Sequence, residues 1–284
     1  MISWEHVAPG IERMSLRTPT LPPASETNSY LVHGRDGFFV IEPATPYAKE
    51  RAILFEQVQA RISRGEMLLG ALVTHHHVDH VGAAESFRTE FGVPLYGHGD
   101  TRRLLSERVA VDRLIDEGEK LPGTDVRALH TPGHAPGHIC LWSETGKWLV
   151  AGDMVASVGT IVIDPDDEGD MAAYIAQLSR MTELGATRML PAHGDPIDDP
   201  NKLLAHYIAH RGEREAKVLA AVRDGERDAK GVVSLGEVVR RAYADTPAWL
   251  WPLAAKSARA HLAKLGGEGK VEVKGDGWGR GAGE

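Results

Sequence analysis

The sequence predicts an α/β fold followed by a small winged-helix-like domain. Short β-rich runs alternate with stretches of helical period over the first two hundred residues. Clusters of histidine and aspartate fall directly after several of the predicted strands. Past Asn201 the texture changes to three helical stretches and a closing hairpin, an appendage of roughly 70 residues, enough to fold as a small domain.

In chain order, "TNSYLVHG" and "GFFVIEPA" are β-rich runs separated by Gly34, Arg35, Asp36 and Gly37, which suits a hairpin. Residues 47–64 carry apolar side chains at Ile53, Leu54, Val58 and Ile62, close to the helical period, and Gly65 follows as a stop. The strand "LLGALVT", a histidine-rich loop, a helix over 83–91 and the strand "VPLYGH" continue the alternation. "DVRALHTPGH", "HICLWSET" and "KWLVAGDMV" read as consecutive strands with a turn at 144–146, and a helix over 172–184 precedes "TRMLPAHGD". A charge-rich helix from Asn201, with Val218, Leu219 and Val222 on its apolar face, leads to helices over 235–243 and 251–265. Two β runs in "GKVEVKGDGWGR" close the chain. The expected boundary near Gly212 divides it into domains 1–212 and 213–284.

The formal charge of -8 gives no general attraction to nucleic acid or anionic membranes. Cys140 is the only cysteine, so an intrachain disulfide and a thiolate-rich metal site are both excluded. The first residues, "MISWEHVAPGIERM", have no basic stretch followed by a long apolar run, and no run of about 18 apolar residues occurs, so the expectation is a soluble cytoplasmic protein.

"HHHVDH" places His75, His76, His77, Asp79 and His80 in one turn, and His134 in "TPGHAPGH", Asp153 in "AGDM" and His193 in "PAHGD" follow other strands. A bare cluster of buried imidazoles would leave polar groups unsatisfied, so metal binding is the leading reading. The seven residues His75, His77, Asp79, His80, His134, Asp153 and His193 could surround two divalent metal ions. In an extended loop, His75 and His77 share one side, leaving Asp79 and His80 for a second ion. Nitrogen and oxygen donors suit zinc first, with iron, manganese and cobalt compatible.

These residues carry a resemblance. "HHHVDH" contains the His-x-His-x-Asp-His signature of the metallo-β-lactamase superfamily, and His134, Asp153 and His193 follow in that superfamily's order. The resemblance implies an αββα sandwich in which His75, His77 and His134 hold one metal, Asp79, His80 and His193 hold the second, and Asp153 bridges them. "HYIAHRGERE", "DTPAWLW" and the last helix with its hairpin resemble a branch with a C-terminal winged-helix-like domain, which includes endoribonucleases and thioesterase-like hydrolases. Glu42 in "VIEPA" stands where many members have aspartate, a residue that supports the metal ligands from behind. "HAPGH" replaces a more polar linker and implies a drier wall beside His134.

His138 is expected to hydrogen-bond behind the ligands, and His76 to do the same or face solvent. His33, His98 and His130 have no assigned role. His206 and His210, four apart on a helix, are expected to face substrate or pack; Trp249 and Trp251 to anchor a core or interface; Arg211 and Arg214 to form a solvated, Glu-paired face.

The resulting expectation is a dinuclear hydrolase in which dications about 3.5 to 4 Å apart hold a bridging hydroxide, with Asp79 orienting it and shuttling its proton. The substrate is expected to be a small ester, thioester or lactone. A single-strand-directed endoribonuclease, with RNA as partner, is the alternative. A sensor binding DNA through "WPLAAKSARAHLAKL" ranks last, since Lys256, Arg259, His261 and Lys264 give it modest basic character. A β-lactam substrate is disfavoured because no export signal is seen. Oligomeric state is left open.

Overall fold

The computed structural model describes residues 2–281. One compact unit takes in residues up to Pro132, Pro136–Ile161 and Thr182–Pro200, and a second takes in Gly133–Ala135, Val162–Met181 and the chain from Asn201 onward.

The first unit is built on two sheets. The larger runs β1 (Glu5–Ala8), β2 (Ile11–Arg17), β3 (Glu26–His33), β4 (Phe38–Ile41), β5 (Leu68–Leu72), β6 (Leu95–Gly97) and β7 (Arg113–Leu114), in that spatial order. Its β1 to β4 pair antiparallel and β4 to β7 parallel. Helices make the parallel crossovers: α1 (Ala48–Ile62), then α2 (Val78–Val81) with α3 (Ala84–Phe91), then α4 (Gly99–Leu105). The smaller sheet has the order β11 (Arg188–Pro191), β10 (Trp148–Gly152), β9 (Ile139–Ser143) and β8 (Arg127–His130), with β10 and β11 parallel.

Alternation along β4 explains the layers. Phe39 and Ile41 join Tyr30, Val32 and Leu72 in the core shared with Ile139, Leu141, Trp148, Val150 and Leu190 of the smaller sheet. Phe38 and Val40 point to the other face, where Leu54 and Val58 of α1 and Ala84 and Phe87 of α3 cover them. A strand buried on both faces has to read "FFVI".

The predicted hairpin is present, with the Gly34 N–H donating to the Gly37 carbonyl at 2.7 Å. The histidine loop contains the one-turn helix α2, and α4 and β7 are further elements that no periodicity announced. The strand expected across 125–134 stops at His130, because Pro132 and Gly133, whose φ is 138°, cannot continue it.

The second unit contains α5 (Met171–Thr182) except its last residue, nearly all of α6 (Pro200–Asp224), α7 (Leu235–Ala242), α8 (Trp251–Gly267) and a small sheet of β12 (Val233–Ser234), β13 (Val271–Lys274) and β14 (Gly277–Arg280) in the order β12-β14-β13. Val218 and Val222 of α6, Val238 and Val239 of α7, and Ala258, Leu262 and Leu265 of α8 form its core. The Ser234 hydroxyl caps α7 by accepting the Glu237 N–H at 3.2 Å.

Three expectations change here. Arg211 is buried with its guanidinium 5.2 Å from the Tyr174 ring, and Arg214 lies 4.3 Å from the Tyr243 ring and 2.9 Å from Asp245. Positions 211, 214, 218 and 222 share one helical stripe, so these arginines extend the packed face instead of a solvated one. Trp251 packs on the core as expected, but Trp249 is 73% exposed. The basic residues of α8 are neutralised by acids: Lys256 by Asp164, Arg259 by Asp166, and Lys264 by Glu215 and Glu268. That removes most of the charge a recognition helix would offer to phosphates. Among the described residues no helix is long and apolar enough to cross a membrane.

Glu215 makes this unit acid-sensitive. Burial pushes its carboxyl up, but hydrogen bonds from His261 and from Lys264, at 2.8 Å, outweigh that and hold it down at about 2, against an ordinary 4.5. A depressed carboxyl contributes stability that is complete above the ordinary value and drains away as pH falls from 4.5 towards about 2. Glu215→Gln is expected to flatten the acid limb of the stability profile in that window, and to cost about 1–2 kcal/mol at pH 7 after allowance for solvent screening. Urea unfolding followed at pH 7, 4 and 3 checks it; an unchanged acid limb contradicts the assignment.

Candidate metal centre

Glu42 follows β4, the run from Thr74 to His80 follows β5, Asp153 follows β10 and His193 lies two residues past β11, so four strand ends of the first unit meet at one edge of the sandwich. Parallel pairing explains the convergence, since β4 with β5 and β10 with β11 deliver their C-terminal ends to the same side.

His80 sits at the centre and is fully buried. Its Nδ1–H donates to one Glu42 oxygen, and the other Glu42 oxygen accepts the Thr74 N–H. Glu42 reaches both from a backbone at φ 59°, a strained value for a non-glycine residue of the kind found at functional sites. The opposite His80 nitrogen, Nε2, is buried and has no hydrogen-bond partner among the described residues. It lies 3.6 Å from Asp153 Oδ1 and 3.9 Å from Asp79 Oδ1.

His193 repeats the pattern. Its Nδ1–H donates to the Glu26 carbonyl at 2.9 Å, and Nε2 lies 3.3 Å from Asp153 Oδ1 and 3.6 Å from Asp79 Oδ2. One donor atom each of Asp79, His80 and His193 lie within 4.8 Å of one another, as do one each of His75, His80 and Asp153. Next to this set, His75 Nε2 and His77 Nδ1 face each other at 3.0 Å, while Thr74 Oγ1 holds His75 Nδ1 at 2.9 Å. His134 lies in the second unit, where it is buried and its Nδ1–H donates to the Val162 carbonyl at 2.9 Å.

The electrostatics of the site favour positive charge beside its carboxylates. Burial opposes charging of His80, yet Glu42, Asp153 and Asp79 together raise its pKa well above the usual imidazole value. Burial likewise pushes the Asp153 carboxyl up, and His193 and His80 overcome it, holding the group well below the carboxylate range. Burial also opposes charging of His193, which Asp153 raises. Three carboxylates around one buried imidazole, an orphaned Nε2, and rings of His75, His80, His134 and His193 whose Nδ1 is tied to an oxygen fit divalent ions with nitrogen and oxygen preference.

His138 is fully buried, and it holds the site from behind: Nε2 accepts the Asp153 N–H at 3.0 Å and Nδ1 pairs with the Thr131 hydroxyl at 2.8 Å. His76 is buried beside the His77 ring, which corrects the solvent-facing alternative; α2 folds the segment inward immediately after it. His206 and His210 stand exposed on α6 with ring centroids 6.3 Å apart, and His33 pairs with Glu12. Sequence reasoning missed Thr74, Thr131 and Asn28, whose amide donates to the carbonyls of Pro191 and Gly194 and so fixes the His193 turn. Thr74 could have been found, because it ends the strand run directly before His75.

Comparison with known proteins places these features. Residues 22–193 match the model of the "Metallo-beta-lactamase superfamily", and residues 234–278 match the "Beta-lactamase associated winged helix domain". The chain is 30% identical over 261 residues to a beta-lactamase-like protein 2 homolog of Drosophila melanogaster, covering 87% of this chain and 84% of that protein. It is 26% identical over 272 residues to an atrochrysone carboxyl ACP thioesterase of Aspergillus chevalieri, covering 94% and 84%. Among solved structures, a beta-lactamase domain protein from Burkholderia ambifaria matches with a TM-score of 0.81 at 22% identity, over 98% of this chain and 93% of that one.

Proposed function

The chain belongs to the metallo-beta-lactamase superfamily, with the superfamily's mixed α/β fold and a C-terminal winged-helix domain, and from that premise we propose that this metal-dependent hydrolase is dinuclear and cleaves small thioesters, esters or lactones. The observation that carries the metal reading is the buried His80 Nε2, which lacks a hydrogen-bond partner among the described residues while two carboxylates and the His193 imidazole surround it. Support for an acyl substrate comes from the thioesterase relative, whose likeness extends over 94% of the chain, and from the neutralised α8.

In this proposal His75, His77 and His134 hold one ion, Asp79, His80 and His193 hold the other, and Asp153 serves both; zinc leads, with iron or manganese as alternatives. Bound divalent ions would supply an activated water at neutral pH and polarise the acyl oxygen. Glu42 keeps the His80 proton on Nδ1, which points the Nε2 lone pair into the site. His138 and Thr131 fix the backbone that carries Asp153. Asp79 is more open to solvent than His80, its side chain being 14% exposed, and it is assigned to orient water, take its proton and pass that proton to the departing sulfur or oxygen. Acyl–sulfur or acyl–oxygen bond cleavage then yields the acid and the thiol or alcohol. Residues 1–212 are assigned the chemistry and 213–284 an accessory role. The cytoplasm is the proposed compartment, in keeping with a single buried Cys140.

The test is turnover of zinc- and manganese-loaded protein on an ester, thioester and lactone panel beside a single-stranded RNA. Acyl turnover alone supports the proposal, and RNA cleavage alone overturns it in favour of the nuclease. A companion prediction concerns Glu42→Gln, which keeps the shape but removes the charge behind His80. Metal affinity is expected to fall about 10- to 100-fold, measured by competition with a chromogenic chelator. Wild-type affinity in that variant would remove Glu42 from the assignment.

A further inference from the structure

On the reading of His193 as a metal ligand, we propose that Arg13 is its positioning residue. Arg13 is assigned no contact with ion or substrate; it grips the turn that carries the imidazole and so sets where His193 Nε2 stands in the metal centre.

The turn from Pro191 to Asp195 is held by its backbone carbonyls. The buried Asn28 amide donates to the Pro191 carbonyl at 2.8 Å and to the Gly194 carbonyl at 2.7 Å, one before His193 and one after it. The Ser15 hydroxyl donates to Asn28 Oδ1 at 2.7 Å, which keeps the amide nitrogen towards the turn. The Asn28 N–H donates to the Ala192 carbonyl at 2.8 Å, and the Tyr30 hydroxyl to the Pro191 carbonyl at 2.7 Å. Ser157 adds its N–H to the His193 carbonyl at 3.0 Å and its hydroxyl to the Asp195 carbonyl at 2.9 Å. Every carbonyl of the turn is thus occupied.

Arg13 completes this grip from β2. Its Nη1 donates to the Gly194 carbonyl at 3.2 Å and to Asp195 Oδ1 at 3.1 Å, while Nη2 donates to Glu5 Oε2 at 2.9 Å. The planar fork therefore ties the turn that leaves β11, in the smaller sheet, to β1 and β2 at the edge of the larger one. The Arg13 side chain is only 12% exposed. Without the guanidinium the Gly194 carbonyl keeps Asn28 as donor, but the turn loses its tie to β2, and the imidazole, held at Nδ1 by the Glu26 carbonyl, has a looser backbone behind it. Groups that orient a metal ligand in this way typically account for about 10- to 100-fold in metal affinity, and the remaining Asn28 bond puts Arg13 at the lower end.

Cobalt(II) is the probe, titrated into metal-free protein and followed by its visible absorption. Arg13→Met is expected to bind cobalt about tenfold more weakly, with altered visible bands, and to lower kcat about tenfold at unchanged KM. Arg13→Gln gives the same readout should Arg13→Met not fold, and Arg13→Lys, which returns a cation and a donor, is expected to recover most of the affinity. Glu5→Gln removes the guanidinium's other partner and leaves the turn alone, so it is expected to match wild type; an equal loss in Glu5→Gln and Arg13→Met would reveal a merely structural ion pair and overturn the proposal. His193→Ala separates this inference from the reading beneath it. Wild-type cobalt binding in His193→Ala removes His193 as a ligand, and the role of Arg13 with it. Loss of cobalt in His193→Ala, with wild-type affinity and spectrum in Arg13→Met, keeps the ligand and overturns Arg13 alone.

Discussion

Asp153→Asn is expected to lower kcat/KM by about a thousandfold while leaving the fold in place, a loss of about 4 kcal/mol of transition-state stabilisation. The substitution preserves volume and the backbone N–H that His138 accepts at 3.0 Å. What it removes is the carboxylate lying nearer than Asp79 to both His80 Nε2 and His193 Nε2, at 3.6 and 3.3 Å. Taking the charge from a buried, paired carboxylate typically costs about 3–5 kcal/mol. Here that cost falls on cation binding, because Asp153 is the group assigned to both ions. Kinetics on the preferred acyl substrate, with metal content and circular dichroism measured on the same preparation, make the check. Retention of more than a tenth of wild-type turnover at full metal content would show that Asp153 serves neither ion.

The candidate metal centre is legible because strand ends concentrate chemistry locally. "HHHVDH" supplies His75, His77, Asp79 and His80 from one strand exit, and the three remaining candidates each sit immediately past a β-rich run. The role of Glu42 could be suspected but not seen, since its reach to both Thr74 and His80 depends on a positive φ that no sequence pattern announces. The pairing of His98 with His130 is hidden for a different reason. Thirty-two positions separate them, and their stacking depends on α4, a seven-residue helix too short to leave a periodic signature. The charge of Arg211 and Arg214 suggests solvent, whereas the helical stripe they share with Val218 and Val222 determines their burial. Local pattern thus carries the layers and the ligand-bearing loops, while contacts made through short or strained segments emerge only from the packed chain.

The second large effect is expected at Gly152, the residue between β10 and Asp153. Its φ is 49°, and an added Cβ would stand 2.4 Å from His138 Nε2 and 3.2 Å from Thr74 Oγ1. A left-handed backbone costs a residue other than glycine about 1–2 kcal/mol. The contact with His138 cannot be relieved cheaply, because that ring is fully buried and held between Thr131 and the Asp153 N–H. Moving it leaves a buried N–H unpaired, for about 1–3 kcal/mol more. Gly152→Ala is therefore expected to lose about 2–5 kcal/mol of stability in denaturant unfolding and to lose metal with it. Gly212→Ala provides the contrast: it lies inside α6, nothing stands within 4 Å of an added Cβ, and the change is expected to stabilise by about 0.5–1 kcal/mol. If both substitutions shift the unfolding midpoint alike, the penalty at Gly152 comes from something other than His138, and the scaffold behind Asp153 has been misread.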